Sequence, residues 1–313
     1  MKRVREFCFA HHITALWQAP MADYTTFRIG GKAEAFLLPP SEGSLVLLLR
    51  FLREERIPFC VIGNGSNLLV TDECVSCVVI STRHIRSVTV NGTSITVGCG
   101  TPLSALCRRL SECSLGGAEA LYGIPGTVGG AVYMNAGAYD TEISDLVRFV
   151  SVVDTTTGSC EVLSREDCRF SYRHSVFMQR KDTVILSVEL SFFPRREESV
   201  RENMKHYLSL RMEKQPTALP SAGSAFRRPQ GGYASRLVAE AGLSGFSVGG
   251  AAVSVKHSGF LVNLGDATAR DVIALLKIIR EKVQNSFGVY LTPEIEYLDQ
   301  NGTIRDPLLG EDT

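Results

Sequence analysis

Three segments combine polar side chains with small neighbours in a way that could support charge stabilisation and proton transfer. Arg173 lies among hydroxyl residues, Ser224 lies between glycine and alanine, and Glu294 and Glu296 alternate along a short predicted strand. A guanidinium pairs with carboxylates while staying charged, a positioned hydroxyl can transfer a proton, and a carboxyl group can share developing charge. Each segment also fits a structural interpretation: Arg173 as a solvated cation, Ser224 as a turn residue, and the two glutamates as the solvent-exposed face of a strand. The pattern does not choose between the two glutamates.

Two glycine-rich segments predict close approach of the main chain to a large ligand, because glycine has no Cβ and a tight loop can aim N–H groups at phosphate. The first comprises Gly63, Asn64, Gly65, Ser66, Asn67 and Leu68. The second contributes Gly123, Pro125, Gly126, Thr127, Gly129, Gly130, Asn135, Gly137 and Ala138. Neither matches the glycine spacing of a Rossmann or Walker loop. Two such segments indicate a dinucleotide bound by a different fold.

The elements around the first glycine segment are predicted in the order strand, helix, strand. Residues 25–38 are strand-like, residues 41–56 carry apolar side chains at helical spacing, and residues 59–62 form a short apolar strand. The glycine loop therefore follows the carboxyl end of a strand, where ligands of open sheets usually bind.

The rest of the chain alternates strands and helices. Asn91-Gly92 predicts a hairpin, and Thr101 is expected to cap a helix that runs to about residue 113. A charged stretch at residues 195–198 indicates a domain boundary. Thr268 and Asp271 form a predicted capping box for a core helix that ends at Gly288. The polar tail after residue 297 is expected to fray.

Composition excludes several classes of protein. The 313 residues include 33 basic and 33 acidic side chains, so the chain has no net positive charge that would favour binding to nucleic acid or to an anionic membrane. No apolar run approaches the roughly 20 residues of a membrane span, and no signal-peptide core is visible. Nine scattered cysteines, an odd number, predict reduced thiols in a cytoplasmic protein. Cys74 and Cys77 have no second pair, so no metal site is expected.

The order of these motifs resembles the UDP-N-acetylenolpyruvoylglucosamine reductase family, the flavoenzymes of peptidoglycan precursor synthesis. The resemblance is carried, in chain order, by TTFRIGG at 25–31, GNGSNLL at 63–69, GIPGTVGGAVYMNAGAY at 123–139, SYRHS at 171–175, KQP at 214–216, PSAGSAFRRP at 220–229, GGAAVS at 249–254 and PEI at 293–295. The compact passage from residue 229 to 249 is similar to the shorter subclass, which lacks the inserted tyrosine-bearing loop.

The resemblance implies an α+β fold. A two-subdomain FAD-binding unit of the PCMH/VAO type would be followed by a C-terminal α+β substrate-binding domain. The expected division is a leader at 1–24, FAD-binding subdomain 1 at 25–85, FAD-binding subdomain 2 at 86–195, the substrate-binding domain at 196–300 and a tail at 301–313.

The resemblance also implies cofactors, substrates and roles. FAD is expected to be bound non-covalently, with NADPH as co-substrate and UDP-N-acetylenolpyruvoylglucosamine as the acceptor. In such enzymes NADPH reduces the flavin, and flavin N5 then passes hydride to the vinyl terminal carbon of the enolpyruvyl group. Arg173 would stabilise charge on the substrate carboxylate, and Ser224 would donate the proton. Glu294, directly after a proline, would share the enolic charge if burial keeps its carboxyl group protonated. Expected substrate contacts are Lys214, Arg228 and His257. We expect a monomer.

Three positions depart from the family pattern, and two other functions stay open. Arg228 replaces a usual asparagine, Asp140 a usual glycine and Gly259 a common asparagine. One alternative is another flavin oxidoreductase of the same N-terminal fold, acting on an alcohol or a 2-hydroxy acid. Such enzymes often tether flavin through histidine or cysteine, and neither glycine segment contains one. The other is a non-catalytic flavin-binding descendant, which the retained arginine, serine and glutamate argue against.

Overall fold

The computed structural model describes residues 1–309. The helices are α1 Lys2–Ala10, α2 Glu42–Glu54, α3 Leu103–Glu112, α4 Val128–Met134, α5 Glu197–Lys214, α6 Ala234–Glu240 and α7 Ala269–Phe287. The strands are β1 Thr14–Pro20, β2 Lys32–Leu38, β3 Phe59–Ile62, β4 Leu68–Val70, β5 Val75–Ser81, β6 Val88–Asn91, β7 Ser94–Gly98, β8 Leu115–Gly116, β9 Gly137–Ala138, β10 Thr141–Glu142, β11 Val147–Asp154, β12 Cys160–Ser164, β13 Thr183–Ser191, β14 Phe193–Pro194, β15 Ser247–Val248, β16 Ala251–Val253, β17 Leu261–Asn263, β18 Glu296–Leu298 and β19 Ile304–Arg305. Within this described chain, every helix is too short or too polar to cross a membrane.

The chain folds into two compact units, each assembled from separate stretches of sequence. The first unit contains Met1–Leu16, Ala35–Asn64 and Val78–Leu210. The second contains Trp17–Glu34, Gly65–Cys77 and the chain from Arg211 onward. The boundary at residue 64 falls inside the first glycine segment.

An antiparallel five-stranded sheet organises most of the first unit. Its strand order is β12-β11-β13-β7-β6, and α4 packs against β7 and β13. The predicted hairpin is confirmed, since Asn91 pairs with Ser94 and Gly92 adopts a φ of 59°. This sheet supports the helix that carries the middle of the second glycine segment.

A second sheet has the strand order β1-β2-β5-β3, in which β3 runs parallel to β5. Helix α2 and strand β3 confirm the sequence predictions, and Leu45, Leu48, Leu49 and Leu52 of α2 are buried. The N-terminal leader contains α1 and β1. The Phe7 ring of α1 stacks on the Phe51 ring of α2 with centroids 4.1 Å apart.

The second unit packs around α7, which confirms the predicted core helix. Thr268 and Asp271 form the capping box, and Gly288 ends the helix with a φ of 67°. The predicted apolar face is buried, and it comprises Val272, Leu275, Leu276, Ile279 and Val283. Helix α7 contacts α6 and strands β15 and β16. The Asp72 carboxylate accepts the main-chain N–H groups of Ala269 and Arg270, at 2.7 and 3.1 Å. An acidic side chain thus satisfies two donors that the helix leaves open at its start.

Local predictions were wrong at four places. Residues 25–31 precede strand β2 rather than extending it, because Arg28 and Gly30 have φ values of 54° and 140°. Pro102, not Thr101, is the N-cap of α3, and the buried Thr101 hydroxyl has no hydrogen-bond partner. Strand β18 begins at residue 296, so Glu294 lies before it. The tail is ordered to residue 309, because β19 pairs with β18 and Leu308 is buried; residues 310–313 lie outside the described chain.

Candidate active site

Within the first unit, the first glycine segment contacts the second. The Asn64 side-chain amide donates to the carbonyl of Pro125 at 2.9 Å, and the Ser81 hydroxyl donates to the carbonyl of Gly63 at 2.9 Å. A Cβ added to Gly63 would lie 2.7 Å from Thr127 Oγ1, so a larger residue would separate the two loops. The structure therefore brings two predicted cofactor segments together at the carboxyl end of β3.

Helix α4 positions the glycines of the second segment. Thr127 caps the helix by accepting the Gly130 N–H at 3.4 Å. A Cβ at Gly129 would lie 2.7 Å from the Cβ of Cys99, so protein packing requires that glycine. At the exposed Gly130, a Cβ would meet only Thr127 Oγ1, at 3.4 Å. Packing within the protein therefore does not require glycine at position 130.

The remainder of the first glycine segment belongs to the second unit. Gly65 has a φ of 64°, and a Cβ there would lie 2.5 Å from the carbonyl oxygen of Tyr24. The Thr26 N–H donates to the Gly65 carbonyl at 3.2 Å, and the Thr26 hydroxyl donates to the Ser221 carbonyl at 2.8 Å. Thr26 therefore ties the glycine loop to the segment that carries Ser224. Sequence reasoning gave no role to Thr26, although the motif at 25–31 was the available signal.

The segments of Ser224 and Glu294 lie side by side in the second unit. Ser224 forms an antiparallel bridge with Phe260, and the carbonyl of Ala225 accepts the Glu294 N–H at 2.9 Å. The Glu294 carbonyl in turn accepts the Asn67 side-chain amide at 2.9 Å. Both predicted catalytic side chains are partly exposed. Hydrogen bonds to main-chain carbonyls therefore bring the segments of Ser224 and Glu294 and the side chain of Asn67 close together.

The predicted substrate-contact residues have different electrostatic characters. Lys214, the last residue of α5, and Arg228 are exposed cations, and the Arg228 guanidinium lies 4.4 Å from the centroid of the Tyr233 ring. Burial lowers the pKa of His257, so its imidazole is neutral at pH 7. Its Nδ1 accepts the Gly259 N–H at 3.2 Å, which leaves the proton on Nε2 as a donor.

Arg173 is anchored within the first unit. Its Nη1 donates to the Asn135 carbonyl at 3.2 Å and its Nη2 to the Gly137 carbonyl at 3.0 Å. Glu142 Oε1 lies 3.7 Å from Nη1, and the Arg173 side chain is 19 % exposed. Arg173 itself has a φ of 52°, outside the conformations that regular elements allow. Sequence reasoning missed Glu142, because nothing in its local pattern indicates an arginine partner.

Asn135, a predicted cofactor residue, has its side chain engaged by the protein. It is fully buried and ends α4 in the left-handed conformation with a φ of 45°. Its amide donates to Glu142 Oε2 at 2.8 Å and to the Ser171 carbonyl at 2.9 Å, and its oxygen accepts the Ser144 N–H at 3.2 Å. The side chain therefore links α4 to the segments that hold Arg173.

The departure from the family pattern at Asp140 lies in the turn of the β9–β10 hairpin. Tyr139 and Asp140 are the two turn residues, with φ values of 51° and 60°. Two consecutive positive φ values define a tight hairpin turn that favours glycine or asparagine. Asp140 is therefore tolerated here at some conformational cost.

The predicted catalytic residues fall into two groups. Arg173 belongs to the first unit, and Ser224 and Glu294 belong to the second. Within its unit, each group is held by hydrogen bonds to the main chain, and each includes residues from a glycine-rich segment.

Family models match both parts of the chain. Residues 33–164 match an FAD binding domain, and residues 215–298 match the C-terminal domain of UDP-N-acetylenolpyruvoylglucosamine reductase. The mixed helices and strands confirm the predicted α+β fold, and the matches confirm that an FAD-binding part precedes the C-terminal domain of the reductase family.

Relatives and a solved structure agree with the family models. The chain is 43 % identical to the UDP-N-acetylenolpyruvoylglucosamine reductase of Caldanaerobacter subterraneus over 90 % of this chain and 92 % of that protein. It is 42 % identical to the reductase of Thermotoga maritima over 87 % of this chain and 95 % of that protein. The crystal structure of the Thermus caldophilus reductase superposes with a TM-score of 0.76 at 34 % identity, covering 91 % of this chain and 98 % of that one. The chain therefore belongs to the UDP-N-acetylenolpyruvoylglucosamine reductase family, as the sequence motifs predicted.

Proposed function

We propose that the protein is an FAD-dependent oxidoreductase that uses NADPH to reduce UDP-N-acetylenolpyruvoylglucosamine to UDP-N-acetylmuramate in peptidoglycan precursor synthesis. Family membership and the matched FAD-binding region support this proposal. The observation that carries it is the hydrogen bond from the Glu294 N–H to the Ala225 carbonyl, which places Ser224 and Glu294 in adjacent segments.

The proposed roles follow from what the reduction requires. Bound FAD would supply hydride transfer from NADPH, which is oxidised, to the vinyl terminal carbon of the enolpyruvyl group, which is reduced. Arg173 pairs with the substrate carboxylate and stabilises the negative charge that develops on it. Ser224 gives its hydroxyl proton to the carbon adjacent to the one that receives hydride, and Glu294, in its protonated form, shares the enolic charge by donating a hydrogen bond.

We propose that the glycine segments hold FAD without a covalent bond. Three features support the assignment: the contact between the two segments in the first unit, the open space at Gly130, and the absence of histidine and cysteine from residues 63–68 and 123–138. The proposed FAD residues are Gly63, Asn64, Gly65, Ser66, Asn67, Leu68, Gly123, Pro125, Gly126, Thr127, Gly129, Gly130, Asn135, Gly137 and Ala138.

Lys214 and Arg228 are proposed to contact the pyrophosphate groups of the substrate or of NADPH, because both are exposed cations. His257 is proposed to contact the substrate as a neutral donor through Nε2, since burial and the Gly259 N–H disfavour its charged form. The loss of these contacts should raise KM for the substrate.

We propose the domain division at residues 24, 85, 195 and 300 as the functional one, in which a flavin-binding part precedes a substrate-binding part. The matched ranges 33–164 and 215–298 support that order, and the compact units are a separate, discontinuous division. We also propose that the protein acts as a cytoplasmic monomer on nucleotide substrates.

A two-step colour experiment tests the function. The purified protein should be yellow, and acid should release the flavin into the supernatant. Without oxygen, NADPH should bleach the flavin, and UDP-N-acetylenolpyruvoylglucosamine should restore its colour. Flavin that stays with the acid precipitate would contradict non-covalent binding. Bleaching by an alcohol or a 2-hydroxy acid instead of NADPH would favour the alternative oxidoreductase.

A further inference from the structure

The hairpin formed by strands β9 and β10 provides two partners for the Arg173 guanidinium. In the β9–β10 pair, Gly137 lies directly opposite Glu142. The Gly137 carbonyl accepts a hydrogen bond from Nη2 at 3.0 Å, and the Glu142 carboxylate lies 3.7 Å from Nη1. The two strands of one hairpin therefore each supply a partner to the same side chain.

The Glu142 carboxylate is itself fixed. Its Oε2 accepts the Asn135 amide at 2.8 Å, and its side chain also accepts the Asp145 N–H in a capping box. The Glu142 N–H in turn donates to the Asp145 carboxylate at 2.9 Å. A carboxylate with several donors has little rotational freedom, so it presents its negative charge to Arg173 in one direction.

We propose that Glu142 is the positioning residue for Arg173: it orients the guanidinium so that the guanidinium can pair with the substrate carboxylate. This inference rests on the proposed function. Two carbonyl partners can hold Nη1 and Nη2 while the guanidinium rocks about its long side chain. The Tyr172 ring, whose centroid lies 5.0 Å from the guanidinium carbon, covers one face of the group. Glu142 is the charged partner at its edge and restricts rotation within the plane, and bidentate recognition of a carboxylate requires that plane to be aligned.

The test uses Glu142→Gln, because glutamine keeps an oxygen for the Asn135 amide and removes the charge. The matched control is Glu189→Gln in the same unit. Glu189 pairs with Arg148 at 3.6 Å, against 3.7 Å for the pair under test, and the two glutamates are 32 % and 34 % exposed. Glu142→Asp serves as the conservative variant, since it retains a carboxylate.

Four quantities are measured for each variant: flavin content, melting temperature, the rate of flavin reduction by NADPH, and the rate of reoxidation by UDP-N-acetylenolpyruvoylglucosamine. Calorimetric titration of the oxidised protein with that substrate adds a readout independent of turnover. Glu142→Gln should slow reoxidation by about 10- to 100-fold, the range that small misplacement of a reacting group produces. It should also weaken substrate binding, with flavin content and reduction unchanged. Glu142→Asp should recover part of the loss, and Glu189→Gln should match the unaltered protein.

Three results would overturn the inference. Unchanged reoxidation in Glu142→Gln would show that the carboxylate is dispensable. Equal losses in flavin content, reduction and reoxidation would show a purely structural role. Tighter substrate binding in Glu142→Gln would show that Glu142 competes with the substrate for Arg173. Failure of the unaltered protein to be reoxidised by the enolpyruvyl substrate would instead refute the proposed function, and the inference with it.

Discussion

Replacing Ser224 by alanine tests proton transfer directly, because the change removes a hydroxyl and leaves the local scaffold in place. The bridge to Phe260 and the bond from the Ala225 N–H to the Gly259 carbonyl, at 2.8 Å, are main-chain interactions. Ser224 is partly exposed and lies outside the buried apolar cluster of its unit. The free energy of unfolding should therefore change by no more than about 0.5 kcal/mol.

The expected effect on chemistry is much larger. Proton transfer by a positioned side chain contributes roughly 100- to 10,000-fold in rate, or about 3 to 5 kcal/mol of activation free energy. The expected change in the free energy of unfolding is several times smaller than this change in activation free energy. A loss of rate of that size therefore cannot come from unfolding. The effect should fall only on the half-reaction in which the substrate is protonated.

Stopped-flow absorbance of the flavin separates the two half-reactions. Ser224→Ala should keep its flavin content and its rate of reduction by NADPH, while reoxidation by the enolpyruvyl substrate slows by at least about 100-fold. Ser224→Cys should recover part of the rate, since a thiol can also donate a proton. Ser244→Ala is the control, because Ser244 is an exposed serine of the same unit.

A change of only a few-fold in reoxidation would refute the proton-donor role. Alanine would then have replaced a small structural residue, and another group, or water, would have to supply the proton. Equal slowing of both half-reactions would also contradict the reasoning, because reduction by NADPH does not use this proton.

Four further predictions follow from the contacts described above. Arg173→Lys should slow flavin reoxidation in stopped flow but leave reduction intact, because one ammonium cannot bind the Asn135 and Gly137 carbonyls and also pair with a carboxylate. Gly130→Val should lower the flavin absorbance per protein, whereas the control Gly43→Val should not. Both glycines lie in helices, and at each of them an added Cβ would meet only one atom within 4 Å. Asp140→Gly should raise the free energy of unfolding, measured in urea, by about 0.5 kcal/mol, since glycine relieves the left-handed turn. The Thr268 N–H is the chief cause that lowers the pKa of the Asp271 carboxyl. Asp271→Asn should therefore lower the melting temperature at pH 7. The difference in melting temperature between the variant and the unaltered protein should shrink as the pH falls below 3.8.

The local elements could be predicted because their signals lie within a few residues of one another. A capping box and a final glycine set the ends of α7, and Asn91-Gly92 set the β6–β7 turn. The order of the motifs also predicted the family and the fold class. The cap signal failed at Thr101, where Pro102 occupies the N-cap position without a side-chain cap and the Thr101 carbonyl accepts the Val128 N–H at 2.9 Å.

The sequence by itself therefore determined the helices and strands with strong local patterns, the types of the candidate catalytic residues and the family. Only the tertiary structure decided how those residues are held. The Thr26 hydroxyl reaches the Ser221 carbonyl across 195 positions, and the Asn67 amide reaches the Glu294 carbonyl across 227. Whether packing requires a glycine likewise depends on distant neighbours, as the contrast between Gly129 and Gly130 shows. Such contacts form because packing brings separated segments together, and no periodicity or short motif encodes the partner.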